Sequence, residues 1–237
     1  MKNKLKNIDV VILCGGLGKR LRPMTGEAQK TMAMVAGHHF LDILLGYLSK
    51  QGFKRVILCT GFFAQEVEEY YKKNDFGLKL EFSREPEPLG TGGAFKNAEG
   101  MINSGTFFGL NGDCFCPVDY SAVYEFHKEH NGVTTLVVAQ VADSRDFGSI
   151  ILDKDGAISD FLEKDASRGI SYINAGIYCF EKKIFDFMPK LKKFSIETDV
   201  FPSIIKKGFY GFLTGAEFID IGTPERFSKA QEIFKKG

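Results

Sequence analysis

Asp9-Val-Val-Ile-Leu-Cys14-Gly15-Gly16-Leu17-Gly18-Lys19-Arg20-Leu21-Arg22-Pro23-Met24-Thr25 is the stretch on which the fold of the chain turns. Val10 to Cys14 run without a polar interruption, the pattern of a strand buried on both faces of a parallel sheet, where polar-apolar alternation is lost. The glycines that follow break the strand and remove the side chains that would keep an anion from the backbone N–H groups. Lys19, Arg20 and Arg22 bring cations to the same loop. A buried strand that opens into such a loop predicts an α/β fold with a phosphate-binding turn at the C-terminal end of its first strand.

Outward from this stretch, helical and strand patterns alternate. Leu41, Leu44, Leu45 and Leu48 recur at three- and four-residue spacing from Phe40 to Gln51, with Gly52 as a stop. Arg55 to Thr60 reads as a strand, Ala64 to Lys73 as a helix, Leu78 to Phe82 as a strand, Gly92 to Asn103 as a helix and Thr106 to Leu110 as a strand. This alternation predicts a doubly wound, mostly parallel mixed sheet in three α/β/α layers. The second half is richer in strands: Val133 to Val141, a hairpin turning at Asp155-Gly156, Tyr172 to Phe180, and the closing segments Phe209 to Leu213 and Glu217 to Ile221. A short helix is expected from Lys182 to Met188 and a C-terminal one from Pro224. No repeat or linker divides the 237 residues, so a single domain is expected, with one half over about 1–130 and the other over about 131–237.

Composition narrows the partners. With 31 Lys+Arg against 30 Asp+Glu there is no overall field to recruit nucleic acid or an anionic membrane, so any anion site must be local. No apolar run is long enough for a membrane span or a signal peptide core. Five cysteines, an odd number, without a secretory signal point to reduced thiols and a cytoplasmic protein. Cys114 and Cys116 have no further cysteine or histidine at metal-site spacing and read as packed thiols. The four histidines match no motif. Oligomeric state is not legible, and a homo-oligomer stays open.

Spacing separates the glycine loop from two better-known ones. A Walker A loop needs four residues between its glycines followed by Gly-Lys-Ser/Thr, and a dinucleotide fingerprint needs a third glycine where Leu21 stands. The whole string instead resembles G-G-x-G-x-R-L-x-P-x-T, the signature of the nucleotidyltransferases that make sugar nucleotides, a family that includes glucose-1-phosphate thymidylyltransferase and mannose-1-phosphate guanylyltransferase. Gly15, Gly16, Gly18, Arg20, Leu21, Pro23 and Thr25 all meet it. The resemblance covers nearly the full length. It implies a Rossmann-like, glycosyltransferase-A-like fold with a nucleotide-binding first half and a β-rich, sugar-binding second half.

By that resemblance Gly15, Gly16, Gly18 and the cation of Lys19 hold the nucleotide, Arg20 clamps the triphosphate, and Lys30 contacts phosphate. The family usually carries Pro-Lys-x-Met at the last position, where this chain has Gln29-Lys30-Thr31-Met32. Asp113, ending Leu110-Asn111-Gly112-Asp113, and Asp220, in Asp220-Ile221-Gly222-Thr223-Pro224, match the family's two metal-holding aspartates. The implied cofactor is Mg2+, an ion that takes one or two carboxylates beside phosphate oxygens. Read singly, each aspartate is equally a turn or cap residue.

Glu85-Pro-Glu-Pro-Leu-Gly90-Thr91 resembles the segment that edges the nucleobase, with Gly90 and Thr91 beside the base. It also reads as a proline-rich turn that Thr91 caps into a helix. Glu85 stands where uridylyl and thymidylyl enzymes often carry Gln, and a carboxylate can accept from the N1–H and N2–H2 of guanine, which favours GTP. Gly148, Glu163, Lys164 and Asn174 match sugar-side positions, Glu163 and Asn174 for hydroxyls, Lys164 for the sugar phosphate and Gly148 for a backbone contact to the sugar. A Glu-Lys pair is otherwise an ordinary solvated surface pair.

The implied reaction joins a nucleoside monophosphate to a sugar 1-phosphate, with D-glycero-D-manno-heptose 1-phosphate or mannose 1-phosphate favoured, as in capsule or surface-glycan synthesis. Uridylyl, thymidylyl or cytidylyl transfer, and a non-catalytic sugar-nucleotide sensor on the same fold, are the alternatives. No C-terminal β-helix follows Gly237, so no acyltransferase activity is expected.

Overall fold

The computed structural model describes residues 4–16, 18, 20–21, 24, 29–141, 149–162 and 171–235. β1 (Asp9–Leu13) leads to a small ribbon, β2 (Met34–Val35) and β3 (His38–His39). Next come α1 (Phe40–Gln51), β4 (Arg55–Thr60), α2 (Ala64–Tyr71), β5 (Lys79–Arg84), α3 (Gly90–Ala98), β6 (Thr106–Asn111), β7 (Cys114–Phe115) and α4 (Tyr120–Glu129). The second half holds β8 (Thr134–Val141), the hairpin β9 (Ser149–Leu152) and β10 (Ile158–Leu162), β11 (Ser171–Glu181), α5 (Phe201–Ile204), β12 (Phe209–Thr214), β13 (Ile219–Asp220) and α6 (Pro224–Lys235).

Among the described residues nine strands form one sheet. Its first half is parallel in the order β5-β4-β1-β6, so the chain switches direction across the sheet between β1 and β6. β11 then runs antiparallel to β6 and to β8, and β12 lies parallel to β8. The hairpin flanks the start of β11 and reaches β12 through an Ala157–Tyr210 bridge and a Gly211 N–H to Gly156 C=O bond of 2.8 Å. The sheet therefore continues unbroken from the α/β half into the β-rich half.

Successive residues of β1 enter opposite cores, as the period of a strand requires. Val10 and Ile12 pack with α1, Tyr120 and Phe227, whereas Val11 packs with Phe95 of α3 and with Ile196, Val200 and Phe201. Helices thus cover both faces in three layers. The far end of the sheet is pinned electrostatically: buried Asp9 pairs with Arg55 at 2.7 Å and accepts the N–H groups of Asn103 and Ser104 at 2.6 and 2.9 Å, while Glu81 takes the other fork of Arg55. This leaves the C-terminal strand ends free for a site.

Three elements differ from their sequence reading. The helix expected from Gly92 starts at Gly90, becomes a 3-10 turn at Glu99 and ends at Met101, where Arg55 takes the free carbonyl at 2.6 Å. Of Glu217 to Ile221 only Ile219–Asp220 is strand, and it pairs with β7 in a separate ribbon instead of closing the main sheet. Helix α4 has no counterpart in the sequence reading. Asp119 caps it, accepting from the N–H of Ser121 at 2.8 Å, and its buried stripe is Tyr120, Val123 and His127, too polar and aromatic to announce itself as an apolar period.

Candidate active site

The ends of β1, β4, β5 and β6 are in register: Leu13 lies opposite both Cys59 and Asn111, and Thr60 opposite Arg84. Just beyond these ends is a cavity of about 600 Å³. Open parallel sheets place ligands there, at the switch between β1 and β6. The walls include Gly15, Gly16, Lys30, Gly61, Phe62, Glu85, Gly90, Thr91, Asn111 and Asp113.

One end of the cavity is charged. Asp113 follows β6 and forms an ion pair with Lys30, which stands on a 3-10 turn. Burial alone would raise the Asp113 carboxyl, but the Lys30 ammonium outweighs it and holds the group below the usual aspartate range. The β7–β13 ribbon brings up the second carboxylate: Asp220 pairs with Cys114, and the Ile221 N–H donates to the Asp113 carbonyl at 3.1 Å. Asp220 is 8% exposed, accepts from the Gly222 N–H at 2.7 Å, and its Oδ1 lies 3.0 Å from Arg226 Nε. Burial pushes Asp220 up, and the nearby Asp113 charge adds to this against the pull of Gly222, Arg226 and Lys30. The two carboxylates are close enough to influence each other and are pushed in opposite directions, with cations beside them. Among the described residues no cluster of three or more His, Cys, Asp or Glu is placed to hold a metal ion.

Toward β5 the lining includes Phe62, Glu85, Pro86 and Pro88. Glu85 N–H donates to Thr60 C=O at 2.7 Å, which fixes the loops after β4 and β5 side by side. The Glu85 carboxyl folds back against Gly15, where an added Cβ would lie 2.6 Å from Oε1, so any larger residue there would push the carboxyl aside. Burial raises its pKa, opposed by the Leu89 N–H, which donates to Oε2 at 3.1 Å.

Gly90 and Thr91 line the cavity but are also needed by the fold. Gly90 has φ +75 and presses on the Phe194 carbonyl, with 2.5 Å to an added Cβ. Thr91 does not cap α3: its hydroxyl donates to Glu197 at 2.6 Å and accepts the Ile196 N–H at 2.9 Å. Asn174 likewise has a local task, donating to Tyr178 OH at 2.9 Å and accepting the Gly176 N–H at 2.7 Å across the register shift of β11. Arg20 is exposed on its loop and is not a cavity wall. Lys19, Gly148, Glu163 and Lys164 lie outside the described residues. Sequence reading passed over Phe62, Asn111, Glu197 and Arg226. Of these, Asn111 lies inside the recognised Asn111-Gly112-Asp113 segment and Arg226, in the first turn of α6, follows the Asp220 motif.

A glycine loop at a sheet switch point, with a lysine and two neighbouring carboxylates beside it, is the arrangement of α/β proteins that bind phosphorylated ligands. The chain belongs to the nucleotidyl transferase family, whose profile matches residues 9–237. It is 35% identical over 234 residues to mannose-1-phosphate guanylyltransferase of Mycobacterium tuberculosis, covering 97% of this chain and 65% of that one. It is 37% identical over 226 residues to D-glycero-alpha-D-manno-heptose 1-phosphate guanylyltransferase of Aneurinibacillus thermoaerophilus, covering 95% and 97%. The fold superposes on crystalline HddC from Yersinia pseudotuberculosis complexed with GMP-PN, with a TM-score of 0.85, 39% identity and coverage of 96% and 100%.

Proposed function

We propose that the chain transfers GMP from GTP to a manno-configured sugar 1-phosphate, heptose or mannose, and releases pyrophosphate. The observation that carries this reading is one cavity lined by the half-buried Glu85 beyond β5 and by the Lys30–Asp113 pair beyond β6, with Asp220 held beside that pair by the β7–β13 ribbon. That is the polarity of a nucleoside triphosphate. Glu85 accepts from both N1–H and N2–H2 of guanine, whereas on uracil only N3–H donates and the flanking carbonyl oxygens find no donor on the ionised carboxylate. Gly15 and Gly16 let the backbone approach the phosphates.

In the reaction, a phosphate oxygen of the sugar 1-phosphate attacks the α-phosphorus of GTP, a P–O bond forms, and the bond to the β-phosphate bridging oxygen breaks as pyrophosphate leaves. No protein nucleophile is needed. Lys30 and Arg20 neutralise charge on the phosphates, and the glycine loop and Glu85 hold the donor in line. Asp113 and Asp220 would hold Mg2+, which when bound draws the phosphate oxygens together and offsets their repulsion. Asn174 and the segments bearing Gly148, Glu163 and Lys164 would hold the acceptor sugar. No helix among the described residues is long and apolar enough to cross a membrane, and the free thiols suit a cytoplasmic enzyme of surface-glycan synthesis.

The test is pyrophosphate release with GTP, ATP, CTP, UTP and dTTP, each against a panel of sugar 1-phosphates with Mg2+. Turnover of GTP with heptose or mannose 1-phosphate is expected. Turnover confined to UTP or dTTP, or to gluco-configured acceptors, would overturn the substrate assignment.

A further inference from the structure

Phe62 stands out among the cavity walls. It is 42% exposed, one of the few large apolar side chains left open to solvent, and no polar atom of its own explains that position. Its backbone is held on both sides. Thr60, two residues earlier, ends β4 and is bonded to Glu85; Ala64 N–H closes the turn on Gly61 C=O at 3.1 Å; and Phe63 takes φ +59, a conformation unusual for a residue with a side chain. The two rings pack edge to face, with centroids 4.2 Å apart, which steadies the outer one.

The relation to Glu85 is set by Gly15. The added-Cβ position of Gly15 is 2.6 Å from Glu85 Oε1 and 3.5 Å from Gly61 N, so the carboxylate and the Gly61-Phe62 turn flank one glycine. A planar ring hydrogen-bonded to Glu85 would lie within reach of the next residue along that turn. Pro86 and Pro88 add apolar surface to the same cavity.

We propose that Phe62 is the stacking platform for the nucleobase: its ring covers one face of the base whose edge Glu85 reads. This rests on the nucleotide reading of the cavity. It divides the work there, since every base has a π face but only some have the edge that a carboxylate can take. Phe62 then supplies affinity without discrimination, and Glu85 supplies the choice.

The chain contains no tryptophan, so Phe62→Trp provides a single reporter at the cavity mouth. Its emission should be quenched on titration with GTP, and left unchanged by a ribose triphosphate that lacks a base. In steady-state assays Phe62→Ala should raise the KM for the nucleotide about tenfold to a hundredfold, the range for loss of one base–aromatic stack. The KM for sugar phosphate and kcat should change little, and Phe62→Tyr should restore the nucleotide KM.

Preference for another triphosphate, with that nucleotide still quenching Phe62→Trp and still sensitive to Phe62→Ala, would refute the guanine reading and uphold the stack. A wild-type nucleotide KM in Phe62→Ala, equal quenching by the base-less triphosphate, or failure of Phe62→Tyr to restore the KM would overturn the stack.

Discussion

Gln29 replaces the proline that the family resemblance leads one to expect before Lys30, and replacing it by proline should make the protein more stable. Gln29 has φ −61 and ψ 139, angles that proline adopts without strain. The residue is 2% exposed, and both its amide atoms, Nε2 and Oε1, are buried without a hydrogen-bond partner. Proline would remove two unsatisfied polar atoms, each of which costs about 1–3 kcal/mol when buried. It would also restrict the unfolded chain, a gain of about 0.4–1 kcal/mol. Against this stands lost packing, since the ring keeps its methylenes but not the reach of the longer side chain, a cost of about 1 kcal/mol.

A net gain of about 1–6 kcal/mol follows for Gln29→Pro, or a Tm higher by about 2–4 °C for each kcal/mol in a domain of this size. Gln29→Met separates the contributions, because it removes the amide, keeps the length and leaves the backbone free, and it should recover the larger share. Calorimetry of the three proteins at one pH, with urea melts as a check, measures both. A lower Tm for Gln29→Pro would show that the backbone here is not held as the angles state. A Gln29→Met protein less stable than wild type would show that the amide is satisfied, and the reasoning fails at its main term.

Asp113→Asn should lower kcat by about a hundredfold or more, the scale for loss of one preorganised charge-stabilising group, while thermal melting stays cooperative; near wild-type turnover would remove Asp113 from the metal site. Glu85→Gln should lower kcat/KM for GTP relative to UTP by about tenfold or more, seen by competing the two triphosphates, because a buried polar edge rejects a mismatched base. Asp9→Asn puts an NH2 group against the N–H donors of Asn103 and Ser104 and leaves Arg55 half paired; a loss of about 3–5 kcal/mol by urea denaturation is expected, with the nucleotide KM unchanged in the folded protein. His127 is buried, and desolvation pushes it down to about 4 from an ordinary 6.5 despite Glu181 nearby. Between those values the unfolded chain binds a proton that the fold refuses, so stability should fall as pH drops through the window, by up to about 3 kcal/mol; His127→Gln should flatten that slope by one proton, and an unchanged slope would exclude the histidine as its source.

What the sequence alone determined is what local chemistry can write. Val10 to Leu13 had to be buried on both faces because nothing polar interrupts them, Gly15 and Gly16 had to open the backbone, and Leu41, Leu44, Leu45 and Leu48 had to lie along one helical face. Lys30, Asp113 and Asp220 could be named as candidates because each sits in a short motif. Their meeting could not, since it depends on the β7–β13 ribbon, which joins segments more than a hundred residues apart by two paired residues with no periodic signal of their own. The same is true of Phe62 beside Glu85, set by the parallel register of β4 and β5, and of Thr91, whose hydroxyl left its expected cap for Glu197. Patterns within a turn or a strand are fixed by neighbours along the chain, whereas the pairing of distant polar groups is decided when burial forces each to find a partner, and only the folded chain holds that record.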